Sequence, residues 1–169
     1  MLTRVILLLV LWVSGANAYA DDMFDKLSLK RKEVGSKMFT AHNYQPGMIK
    51  HIVLFRYKEN VTQAQKNEVI QRFLKLRDST RPGEQHPYVI SITTGSQSSG
   101  ESASMGFEQA FVVTFSSEGD RNYYVGTPIV EEPTYYDKNH ADFKKFVGPL
   151  LDSNHGVLVF DFHAGGDAE

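Results

Sequence analysis

The sequence predicts an α+β fold of order β-α-β-β-α-β, the ferredoxin-like arrangement with an antiparallel sheet. Three observations predict it. Four short runs rich in β-branched and aromatic residues, 49–57, 88–94, 107–115 and 157–162, read as strands. Stretches with apolar residues at helical spacing follow the first and the third of these runs. Gly, Pro, Asn and Asp clusters stand at the junctions, as turns and helix ends require.

The elements follow in order. Residues 1–20 carry an early Arg4, an unbroken apolar run from Val5 to Val13, and small residues at Ala16, Ala18 and Ala20. This is the pattern of a secretory signal peptide cleaved after Ala18 or Ala20, and its apolar run is too short for a stable membrane span. An exported protein, periplasmic or secreted, is therefore expected. Residues 21–47 are polar and end in Pro46-Gly47, so they read as an N-terminal extension with one short helix over 25–34. The main domain is expected over 48–163, with a small acidic tail at 164–169.

In the first strand, a period of two puts His51, Val53 and Phe55 on one face and Ile52 and Leu54 on the other. Thr62, three residues before Gln65, forms a capping box, and Val69, Ile70, Phe73, Leu74 and Leu76 give the following helix an apolar stripe. Arg81-Pro82-Gly83 ends that segment. Residues 95–104, GSQSSGESAS, lack the Gly-Lys-Ser/Thr ending of a phosphate loop and read as a hairpin connection. Ser117 and Asp120 open a second helix carrying Tyr123 and Tyr124. Gly126-Thr127-Pro128 interrupts it, an excursion covers 127–139, and helix resumes over 138–147.

Composition removes several function classes. A net charge of −2 and a pI near 6.3 argue against a protein that tracks nucleic-acid phosphates. Without cysteine there is no disulfide, thiolate nucleophile or thiolate metal site. His51, His140, His155, His163 and Asp161 lack the spacing of a dedicated metal site, so neither a metal nor a cofactor is expected.

Helices on one face of a four-stranded sheet leave the other face bare. The expectation is that His51, Val53 and Phe55 lie on that bare face, which a second copy covers in a two-fold homodimer.

The stretches MIKHIVLFRYKENVT, GFEQAFVVTFSSEGDRNYY, NHADFKKFVGPLL and GVLVFDF together resemble the stress-responsive A/B barrel domain family over about residues 48–163. The resemblance implies a ferredoxin-like chain assembled into a dimeric α+β barrel. Most members have no assigned reaction, and a plant member is a polyketide cyclase using a histidine and a tyrosine. By that resemblance His51 matches the first-strand histidine and Tyr123 the pocket tyrosine. His140 matches the second histidine of a His-Pro-Ala-His motif. The first histidine of that motif is absent, its place falling at Gly126 or Asp137, and the loop there is longer by about ten residues, as loops readily accommodate.

Aldol chemistry needs a base and a donor for the developing enolate oxygen. His140 suits the first role, Tyr123 the second, and His51 is expected to assist. Val53, Phe55, Phe111 and Val113 are expected to line an apolar barrel around them. Three functions follow: a dimer binding a small apolar or aromatic molecule, an enzyme of the lyase or isomerase type acting on one, and a structural stress-protective dimer.

Overall fold

In the computed structural model, which describes residues 18–165, β1 (Pro46–Phe55), β2 (Ser91–Ser96), β3 (Gln109–Ser117) and β4 (Val157–His163) pair antiparallel in the order β2-β3-β1-β4. The helices are α1 (Ala18–Phe39), α2 (Gln63–Lys75), α3 (Glu118–Val125) and α4 (Lys138–Val147). The ferredoxin-like order expected from the sequence is present. Most of the leader over 1–20 and the end of the tail lie outside the described residues.

Local chemistry fixes the helix starts. The Thr62 hydroxyl accepts from the Gln65 amide at 3.3 Å, and the Gln65 side chain accepts from the Thr62 amide at 2.9 Å. Ser117 accepts from the Asp120 amide at 3.0 Å, and Asp137 from the Asn139 amide at 2.8 Å. Each bond satisfies an amide that the first helical turn leaves without a partner.

The orientation of the sheet corrects one expectation. Ile49, His51, Val53 and Phe55 face the helices, together with Phe111, Val113 and Phe115 of β3. Val69 and Phe73 of α2, Tyr124 of α3, and Phe143 and Val147 of α4 cover them. The bare face is the opposite one. Its β1 members Ile52 and Leu54 lie level with Phe160 and Leu158 of β4, and Phe160 and Phe162 are 57% and 42% exposed. The pattern misled because β1 is apolar on both sides; alternation gives the two sets but not which set meets the helices.

Boundaries moved too. β2 starts at Ser91 rather than Tyr88, because its pairing with β3 begins at Ser91 opposite Thr114, and it runs on through Gly95-Ser96. The extension is helical over more of its length than the expected 25–34, with a break at Gly35, whose φ of 79° and ψ of 153° leave the helical region. Phe39 and Tyr44 then join Val130 in a second small core, with Leu27 and Ile129 packed beside it. Gly119 makes that docking possible. Its amide donates to the Tyr44 carbonyl at 3.0 Å, and a Cβ there would fall 1.8 Å from the Ala41 carbonyl oxygen.

β4 is an edge strand that no helix fully roofs. Val157 and Val159 point to the helix side yet stay about half exposed. The space they leave open is the site.

Candidate functional site

Between the β1–β4 half of the sheet and the α3–α4 layer lies a largely apolar cavity of about 520 Å³. Val53, Phe55, Val157 and Val159 form its floor, and Phe143 and Val147 of α4 its roof. Leu27 and Phe39 of the N-terminal segment and Thr127–Ile129 of the excursion close one side. A volume in this range suits a small organic molecule.

Polar groups converge at one end. His51 and Asp161 are partners in the β1–β4 register, and His51 Nδ1 lies 2.6 Å from Asp161 Oδ1. A carboxylate only accepts, so Nδ1 carries the proton and Nε2 is left for the cavity. The other carboxylate oxygen, Oδ2, accepts from Arg121 Nη1 at 2.5 Å, and Arg121 Nε donates to Asn122 Oδ1 at 2.9 Å. Burial alone would raise the Asp161 pKa; the bonds from His51 and Arg121 outweigh it and hold the carboxyl below its ordinary value.

His140 is held differently. Its Nδ1 donates to the Tyr124 carbonyl at 2.6 Å, and its ring stacks on Tyr124 at 3.8 Å between centroids. Burial, with the neighbouring Lys144 ammonium and His51, drives its pKa down to about 3 against the opposing bond to Tyr124. The ring is therefore neutral at ordinary pH, with its lone pair on Nε2. So low a pKa leaves His140 a weak base.

The expected donor lies elsewhere. Tyr123 does not line the cavity; its ring meets Tyr88 edge-on at 5.2 Å and lies 4.2 Å from the Arg81 guanidinium. Tyr124, the next residue on α3, is the tyrosine that packs between the two histidines, with its centroid 5.7 Å from that of His51. Phe111 and Val113 are also outside the lining. Both are fully buried in the core beneath α2, where Phe111 stacks on Phe73 at 3.8 Å. Of the expected apolar lining, the cavity holds Val53 and Phe55.

Arg121 and Lys144 have no site role in the sequence analysis above, and Asp161 enters it only as a residue without metal-site spacing. The cross-strand register that joins Asp161 to His51 has no local signature. Lys144 had one usable signal, since it lies four residues after His140 on the same helix face. His163 does not line the cavity; it contacts Glu118 at 3.2 Å, which in turn lies 4.0 Å from Arg121. No group of three His, Asp or Glu side chains able to hold a metal forms among the described residues.

Comparison with known proteins agrees with this architecture. A hydroxynitrile lyase from Passiflora edulis superposes with a TM-score of 0.56 at 21% identity, over 73% of this chain and 99% of its own. A protein from Arabidopsis thaliana gives 0.55 at 21% identity, over 72% and 99%. A Dabb family protein with a ferredoxin-like fold from Mesorhizobium loti gives 0.51 at 18% identity, over 71% and 99%. At these identities the likeness is one of fold. No curated protein matches the chain. The profile of the stress responsive A/B barrel domain matches residues 49–164, the whole sheet-and-helix unit from within β1 to just past β4, and the chain belongs to that family.

Proposed function

We propose that the protein binds a small apolar or aromatic molecule in the cavity between its sheet and helices. The observation that carries this is the cavity itself: an apolar space with His51 and His140 at one end, each with Nε2 free of any hydrogen bond among the described residues. The expected location changes with the sheet orientation. The ligand sits within one subunit, under its own helices, rather than between two sheets.

The neutral fluorophore N-phenyl-1-naphthylamine tests the reading. Saturable binding to the full chain is expected, weakened at least about tenfold by Val159→Trp, which fills the cavity from the edge strand without touching the bare face. Circular dichroism melts confirm that the variant is folded. Absence of saturable binding, or binding indifferent to Val159→Trp, overturns the reading.

A second reading, an enzyme of the lyase or isomerase type, is favoured by the His51–Asp161 pair. With Nδ1–H held by a carboxylate, His51 Nε2 is poised to take a proton from a bound molecule. A hydroxynitrile lyase among the structural neighbours is compatible with such a role for this fold.

Assembly and location complete the proposal. The bare face, with half-buried Ile52 and Leu54 beside exposed Phe160 and Phe162, is the surface for a homodimer, in keeping with the family's barrel architecture. Export rests on the leader pattern of residues 1–20, and sequencing the N-terminus of the mature protein tests it. No helix among the described residues is long and apolar enough to cross a membrane.

A further inference from the structure

Five titratable or charged side chains line the cavity: His51, His140, Asp161, Arg121 and Lys144. The two histidines are accounted for above, and Asp161 is shared between His51 and Arg121. Two cations therefore face one carboxylate, and that carboxylate is already spoken for. Lys144 is the cation left over. Among the described residues it forms no ion pair. Its Nζ instead donates to the Val125 carbonyl at 2.9 Å and the Thr127 carbonyl at 3.1 Å, with the Thr127 hydroxyl at 3.4 Å.

Those carbonyls close the C-terminal end of α3, where a lysine is favourable on electrostatic grounds alone. They hold the ammonium in place, yet they are neutral dipoles and supply no counter-charge. Burial lowers the Lys144 pKa, the mark of a cation short of compensation. One helical turn earlier on the same face stands His140, a neutral ring whose Nε2 accepts a hydrogen bond but cannot balance charge. A fixed ammonium at the margin of an apolar cavity is complementary to an anionic oxygen attached to an apolar body.

We propose that the occupant of the cavity is an amphipathic acid: an aromatic or aliphatic body with one anionic oxygen group, a carboxylate or sulfonate, seated at Lys144. This rests on the reading of the cavity as a binding site and narrows it to a ligand class. It also gives this chain a cationic partner for oxygen, supplied from α4, in a cavity that Tyr123 of α3 does not line. His51 and Asp161 then face the remainder of the ligand.

Two probes with one skeleton separate this inference from the reading beneath it. N-phenyl-1-naphthylamine is neutral, and 8-anilino-1-naphthalenesulfonate carries a sulfonate on the same rings. Titrated into the full chain at low salt, the sulfonate is expected to bind at least about tenfold more tightly, the scale of one charge-assisted contact. Lys144→Met should bring the two affinities within about twofold, chiefly by weakening the sulfonate. Lys144→Gln, which keeps a hydrogen-bond donor, should behave likewise if the methionine variant does not fold. Lys50→Met, on the bare face beside Thr114, should retain the full preference. Equal affinities in the parent protein overturn the inference, as does a preference that survives both Lys144 variants or is lost in Lys50→Met. In each of these cases saturable binding of the neutral probe leaves the cavity reading standing. Failure of both probes to bind removes the two together.

Discussion

Asp161 and His51, 110 residues apart in sequence, are direct partners across the β1–β4 ladder, with Oδ1 2.6 Å from Nδ1. The carboxylate does two things there. It fixes which imidazole nitrogen carries the proton, and it joins the final strand to α3 through Arg121.

Replacing Asp161 separates those two effects. Asp161→Ala removes the acceptor of two charge-assisted bonds and should cost about 2 kcal/mol in urea denaturation. Asp161→Asn keeps an acceptor but removes the charge, so the fold should tolerate it better. If the chain turns over its ligand by proton abstraction, Asp161→Asn should lower the rate about 100-fold with little change in affinity. An unchanged rate in that variant excludes His51 as the base.

Stability should fall on mild acidification. The unfolded chain protonates His140 near the ordinary value of 6.5, whereas the folded chain resists protonation down to about 3. Between those values the unfolded state binds the extra proton, so each unit of falling pH removes up to about 1.4 kcal/mol. Asp161 acts in the same direction at lower pH. Its folded pKa is depressed, so its contribution is present above the ordinary carboxylate value and is lost as pH falls through the folded one. Urea midpoints measured from pH 7 to pH 4 should show the slope, and His140→Phe should flatten its upper part. A slope identical in that variant contradicts a buried neutral imidazole.

Tyr88 and Tyr124 offer a matched pair. The Tyr88 hydroxyl donates to Asp137 Oδ2 at 2.5 Å, beneath the start of α4, while the buried Tyr124 hydroxyl has no hydrogen-bond partner among the described residues. Tyr88→Phe should therefore cost about 1–2 kcal/mol and Tyr124→Phe nothing measurable, or a small gain. Paired thermal and chemical unfolding measurements decide it. The reverse ranking contradicts these two environments.

The bare face should set the oligomeric state. Ile52→Asp with Phe160→Asp places charges at two adjoining positions on the exposed side of the β1–β4 ladder. Sedimentation velocity at micromolar concentration should show a dimer for the parent chain and a folded monomer for the double variant. A parent chain that sediments as a monomer refutes the dimer.

How much was legible beforehand depends on the range of the interaction. The element order, the Thr62–Gln65 capping box and the break at Gly126 are local, and the sequence states them directly. His51 could be singled out because it stands among the apolar residues of its strand, and His140 by its match to the histidine motif of the family. Two adjacent tyrosines on one helix point about 100° apart, so nothing local tells Tyr124, which reaches the histidines, from Tyr123, which packs under Arg81. Nor does a strand that is apolar on both sides reveal which side its helices take. Asp161 is invisible for the same kind of reason, because its meaning comes from a register set by strands at opposite ends of the domain.

The cavity draws Leu27 from near one end of the chain and Val157, Val159 and Asp161 from near the other. It is accordingly a property of the whole fold rather than of any one segment. Take β4 away and His51 loses its carboxylate at the same stroke as the chamber loses the floor beside β1. Damage to that one edge strand therefore unmakes the chemistry and the enclosure together.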